Sequence, residues 1–112
     1  MTARYDLTIK QGSDFDLPMT FRSGGALMPL TGYQFKMQIR DFSDEVVWEG
    51  TDSNGGIIVN STNSTVRIRI PNSTTNLFVF EGAKYDLEMQ SPDLKISRLM
   101  EGSVKLSRQV TR

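Results

Sequence analysis

Cysteine and histidine are both absent from the sequence. The first absence removes disulfides, a thiolate nucleophile and sulfur-bound zinc. The second removes the imidazole ligand and the side chain that ordinarily titrates near neutrality, so any catalysis would rest on carboxylates, lysines or hydroxyls. A surplus of charge is missing as well, because thirteen Lys and Arg offset thirteen Asp and Glu among the 112 residues. Without a basic excess the domain lacks the footprint that collects phosphates, and no nucleic-acid partner is expected. No apolar run reaches membrane-spanning length, and the opening MTARYDLTIK alternates where a signal peptide would be continuously apolar. The expectation is a chain made in the cytoplasm, with no membrane partner.

What the sequence does contain is alternation with period two. In residues 33–40, YQFKMQIR, one face carries Tyr33, Phe35, Met37 and Ile39 and the other Gln34, Lys36, Gln38 and Arg40, the pattern of a strand with one buried side. Phe15, Leu17, Met19 and Phe21 repeat it opposite Asp16, Pro18, Thr20 and Arg22, and Pro18, which has no N–H, puts that strand at an edge or a bulge. The rhythm returns at Tyr5, Leu7 and Ile9, at Val46 and Trp48, at Val66, Ile68 and Ile70, and at Tyr85, Leu87 and Met89. Ile96, Met100, Val104 and Leu106 share one phase near the end, but Arg98 falls in it too. Either a bulge shifts the register there or the guanidinium is buried with partners. Gly- and Asn-rich turns punctuate these runs at the spacing of an all-β sandwich or small barrel, and residues 71–78, PNSTTNLF, admit one helical turn capped by Asn72 or Ser73. The chain length fits one domain over residues 1–112.

Each motif that suggests chemistry has a plainer reading. NSTNST at residues 60–65 and NST at 72–74 match the acceptor for N-linked sugar, but the first lies between two strand patterns and reads as a hairpin tip. Asp52-Ser53-Asn54-Gly55 opens like a calcium loop but continues into the apolar Ile57-Ile58-Val59 without a late acid, so it reads as a tight turn and no metal is assigned. Asp41, Asp44 and Glu45 cluster in RDFSDE with no partner acid in an apolar setting, and no catalytic residue is assigned. Arg67 and Arg69 would join Lys36 and Arg40 in one basic face if their strands were neighbours; alone they serve as edge protection. In Phe78-Val79-Phe80 the two rings are expected in the core and Val79 outside or against another subunit. Trp48, the single tryptophan, is expected as a core plug. Lys36, Arg40, Arg67, Arg69 and Val79 are therefore the candidate interface residues.

Taken in order, QGSDFDLPMTFR, PLTGYQFKMQIRD, NGGI, a V-x-I-x-I-P strand, YDLEMQSP and RLMEGSVKLSRQVTR form a set that resembles a family of small tailed-bacteriophage virion proteins. The first half is similar to the N-terminal domain of the phage baseplate upper protein, which joins distal parts to the tail. The resemblance implies an immunoglobulin-like antiparallel β-sandwich of about seven to nine short strands, no enzymatic activity, no cofactor, and a place in a symmetric particle made in a bacterial cytoplasm. In that setting the NST triplets would stay bare. The longer baseplate proteins continue past the point equivalent to Arg112, so bridging here would fall to the sandwich surface itself.

The leading expectation is a structural virion protein of the tail, baseplate or tail-fibre attachment, present in many copies, with other phage structural proteins as partners. Its terminal strands, residues 3–10 and 103–110, are expected at sheet edges where a partner can add a strand. The rivals are a capsid decoration or cement protein, and a carbohydrate- or cell-surface-binding module. The last requires Trp48 or Tyr33 exposed beside Asp41 and Asp44.

Overall fold

The computed structural model describes residues 3–108, and in them the alternation becomes two facing sheets. The large sheet has the order β1-β11-β10-β6-β7, with β2 also on β11; the small one has the order β3-β9-β8. The strands are β1 (Ala3–Arg4), β2 (Leu7–Lys10), β3 (Phe15–Thr20), β6 (Gln34–Asp41), β7 (Val46–Thr51), β8 (Ile57–Asn60), β9 (Thr65–Ile70), β10 (Gly82–Gln90) and β11 (Ile96–Ser107), while β4 (Arg22–Ser23) and β5 (Ala26–Leu27) form a separate ribbon. Placing β3, β6, β7, β8, β9, β10 and β11 on strands B, C, C′, D, E, F and G gives sheets B-E-D and C′-C-F-G, the immunoglobulin-like arrangement. With β1 and β2 counted as one edge and the ribbon set aside, the strand number falls in the expected range.

One core joins the sheets. Phe35, Met37 and Ile39 of β6 and Tyr85 and Leu87 of β10 meet Val66, Ile68 and Ile70 of β9, with Leu7, Ile9, Val104 and Leu106 closing one side. Phe78 and Phe80 enter it while Val79 stays outside, as the alternation requires. The short helix α1 (Asn72–Thr75) starts after Pro71, and its cap differs from the expectation: no Asn72 or Ser73 side chain serves. Instead Asp14 Oδ1 accepts the Asn72 N–H at 2.7 Å, and buried Thr75 donates its hydroxyl to the Ser13 carbonyl at 2.7 Å. A distant turn does the work of a local cap.

The sandwich is not wholly antiparallel, which corrects the expectation. β1 and β2 run parallel to β11 in a single register, Ala3 beside Met100 and Lys10 beside Ser107. A parallel pair needs a long crossover, and here the rest of the domain is the crossover. A second correction follows: the N-terminal strand is an edge, but β11 lies between it and β10, so residues 103–107 are interior; Gln109 and Val110 lie outside the described residues.

Two bulges set the phases, one at Arg98 where the sequence leaves the choice open and one at Val46 where it predicts plain alternation. Leu87 faces Met100 but Glu88 faces Arg98, so Leu99 is an extra residue on β11. Beyond it the faces exchange: Arg98 turns outward to Asp86 and Glu101, both at 3.5 Å, and Ile96, expected in the core, is exposed. On β7, Trp48 faces Ile39 and Val46 faces Arg40, leaving Val47 extra and Val46 exposed.

Where the edge strand pauses between β1 and β2, the Tyr85 hydroxyl donates to the Tyr5 carbonyl, and Asp6 Oδ1 accepts the Ser103 N–H at 2.9 Å. Burial, then the charge of Asp6, raises the Tyr85 phenol from 10.0 to about 12. An unfolded chain then loses this proton first, so the contribution to stability is complete below pH 10.0 and is lost as pH rises to about 12. Thermal melts across that window are expected to show a steeper fall in Tm for the wild type than for Tyr85→Phe, which has no proton to lose. Equal slopes would show that this phenol does not contribute.

Candidate assembly surfaces

The turns come first, because they fix what the surface offers. Asn54 ties the β7–β8 turn: its Oδ1 accepts the N–H groups of Thr51 and Gly56 at 2.9 Å each, and its Nδ2 donates to the Glu49 carbonyl at 3.0 Å. Gly55 supplies the positive φ of 84° that the bend needs. The would-be calcium loop is thus a turn. NSTNST is the β8–β9 hairpin tip, with Asn60 Oδ1 accepting the Thr62 N–H at 3.0 Å. Ser64, at φ 54°, is buried and donates its hydroxyl to the Met28 carbonyl, a long-range tie that the triplet pattern does not reveal.

Asp41 has a similar local use, since its Oδ1 accepts the N–H groups of Ser43 and Glu45 at 2.9 and 3.0 Å. Asp44 turns to Arg40 at 3.7 Å and to Lys84 at 3.5 Å. These groups edge a shallow depression of about 540 Å³ on the outer face of the large sheet, which also holds the Arg98 pairs with Asp86 and Glu101. Acids and bases alternate across it and neutralise one another, and among the described residues no three acids gather to hold a metal ion. Such exposed pairs add little stability; their effect is a face without a dominant sign.

The proposed basic face does not assemble, and the reason is strand order. β6 lies in the large sheet and β9 in the small one, so Lys36 and Arg40 point to one side of the molecule and Arg67 and Arg69 to the other. Lys36 pairs with Glu49 at 3.5 Å, and Arg40 bonds Gln38 Oε1 through Nη2 at 2.9 Å. Arg67 binds Asp16 across the β3–β9 pair, a hydrogen bond and then a Coulomb attraction that together raise its pKa. Of the four, only Arg69 has a side chain that makes no ion pair or hydrogen bond to the described residues.

The aromatic platform is also absent where it was sought. Tyr33 and Trp48 are half-buried against the core, and Tyr33 adjoins the end of β6 opposite Asp41. The exposed ring near the acids is Phe42, which the strand pattern missed because it sits in the turn, after the alternation has stopped. Phe42 is 78% exposed, Leu77 74% and Val79 72%. The pairing of Ala83 with Asp41 brings all three segments to the end where β10 begins. Exposed Leu94 and Ile96 lie at the opposite end of β10, around the turn into β11. The molecule measures 44 × 26 × 25 Å, with apolar side chains presented near both ends of the β10–β11 strand pair.

Fold and surface together define a β-sandwich module with exposed apolar side chains at two ends, and with Asp41, Asp44, Asp86 and Glu101 engaged in turns or ion pairs. The chain belongs to the LtfC-like, beta-sandwich domain family, which it matches over residues 1–107. LtfC is a phage tail protein, so the membership points to a tail-associated structural protein; the match is not specific to the baseplate upper protein. No curated protein matches the chain.

Proposed function

We propose that the chain is a non-enzymatic structural component of a phage tail, assembled in multiple copies with other phage structural proteins at the baseplate or tail-fibre attachment. The observation that carries this reading is the placement of Phe42, Leu77 and Val79 at one end of β10 and Leu94 and Ile96 at the other. Apolar side chains gathered at an end offer a surface that a neighbour can cover, and two such ends on one elongated body suit a connector that touches a neighbour at each. Repetition in a symmetric particle makes weak individual contacts sufficient. The protein would then reside in the virion after synthesis in the bacterial cytoplasm, with no cofactor, nucleic acid or membrane required.

Density for the protein in intact particles tests the address: tail density supports the reading, and density confined to tail-less heads would replace it with capsid decoration. The contact site is tested by the double variant Phe42→Ser, Val79→Ser. Both side chains are exposed, so Tm should move little, while incorporation into particles should fall at least about tenfold if the pair anchors a partner. Normal incorporation of a folded double variant would remove this end as a docking site.

A further inference from the structure

Among the described residues two open sheets leave two edges each, and three of the four carry a device against further pairing. On β3 the bond from the Phe21 N–H to the Ser64 carbonyl, 2.8 Å, sets the alternation so that the outward backbone groups belong to Asp16, Pro18 and Thr20. Pro18 has no donor there. On β7 the Asn54 amide occupies the Glu49 carbonyl and the Thr51 N–H, two of the outward groups that an added strand would need. On the N-terminal strand the bonds from Tyr5 N–H to the Glu101 carbonyl and from Gln11 N–H to the Ser107 carbonyl, 2.9 Å each, leave Arg4, Asp6, Thr8 and Lys10 outward. Three of those four are charged, a common defence of an edge.

β8 has none of these devices. The Arg69 N–H bonds the Gly56 carbonyl at 2.9 Å, which turns the backbone of residues 56, 58 and 60 toward β9 and leaves the N–H and C=O groups of Ile57 and Val59 pointing away from the sheet. The strand reads Ile57-Ile58-Val59-Asn60, with no proline, charge or bulge, and Ile58 is 40% exposed on its outer face. We propose that β8 is the seat of a two-fold homodimer, in which β8 of a second copy pairs antiparallel with it about an axis through Ile58.

The geometry is self-consistent. With Ile58 opposite the partner's Ile58, Ile57 stands opposite the partner's Val59, and all of these pairs keep inward side chains inward. Ile57 and Val59 then exchange N–H and C=O groups with their counterparts, forming four hydrogen bonds, while the two Ile58 side chains meet in the closer, non-hydrogen-bonded pair. A two-fold axis sets each residue near its own kind, so a charged edge would oppose itself. β8 carries no charge, and the chain as a whole carries none in excess, so two copies meet without repulsion. That self-matching selects a second copy as the occupant. This inference stands apart from the tail assignment, because the purified protein alone decides it.

The chain's lack of cysteine makes a direct test available. Ile58→Cys should convert largely to a covalent dimer under mild oxidation, while Thr20→Cys, on the β3 edge, should stay monomeric. In sedimentation equilibrium the wild-type mass should double with rising concentration. Ile58→Lys, folded by circular dichroism, should dimerise at least about tenfold more weakly, because like charges then face each other across the axis. A wild type monomeric at every concentration, or cross-linking of Ile58→Cys no better than Thr20→Cys, overturns the proposal. A monomeric wild type whose Ile58→Lys variant fails to enter particles would overturn it in favour of another chain's strand on the same edge.

Discussion

Phe35→Ala should lower the unfolding free energy by about 3–5 kcal/mol, a large share of what a domain of this size possesses. Phe35 is 2% exposed, stands beside Met89 on β10, and reaches across the sandwich to Phe21 with ring centroids 5.8 Å apart at 85°. Alanine forfeits the transfer energy of the ring, the edge-to-face contact and the dispersion of the atoms that lined it. Packing on both sides is held by hydrogen-bonded sheets, so the cavity cannot readily collapse. At roughly 4 °C or more per kcal/mol, Tm should drop by more than about 10 °C. Phe42→Ala is the internal control: the same residue type seven positions on, but exposed, and its change should remain within about 0.5 kcal/mol. Similar Tm losses in the two variants would mean that Phe35 does not face the core as described.

That contrast also marks how far the sequence can be read. Phe35, Met37 and Ile39 alternate with Gln34, Lys36 and Gln38 over an uninterrupted strand, and period-two patterning fixes which side is buried without any knowledge of the neighbours. Pro18 announces an edge because its missing donor is a property of the residue itself. The reading fails where one extra residue changes the phase: plain alternation puts Val46 and Ile96 inside, and the unpaired Val47 and Leu99 turn them out. Arg98 was the visible warning of the second bulge, because a core position could not accommodate it without partners. The charged quartet failed differently. Lys36, Arg40, Arg67 and Arg69 each lie on the polar face of a strand as read, but whether two polar faces adjoin depends on strand order, and local periodicity does not carry strand order. The same limit hides the ties of Ser64 to Met28, Asn54 to Glu49 and Tyr85 to Tyr5, all made by side chains whose local role is already satisfied by a turn or a strand. The candidate surfaces were legible only at Val79, where the need to bury Phe78 and Phe80 leaves the residue between them no inward direction.

Gly102→Val should detach the N-terminal edge and cost about 3 kcal/mol or more. Gly102 is buried on β11, and a Cβ built there would lie 2.3 Å from the Tyr5 carbonyl oxygen and 2.9 Å from Asp6 Oδ1. The obstruction is backbone, so no rotamer change relieves it. Moving Tyr5 away would break its bond from Tyr85 and the bond from Ser103 N–H to Asp6, and would draw Leu7 and Ile9 out of the core. Gly102→Ala should show most of the same loss, because the first added carbon already collides. Hydrogen exchange should accelerate through residues 3–10 and along the newly open side of β11, while β6 and β9 stay protected longer. Unchanged exchange at β2 in a folded Gly102→Ala protein would contradict the close approach. The consequence extends to assembly, because a stripped β11 presents a long unpaired strand and creates an edge that the native sandwich seals. Association arising from that edge should persist when Ile58→Lys is added, whereas association through β8 should not. The two variants together therefore separate a native contact from one produced by damage.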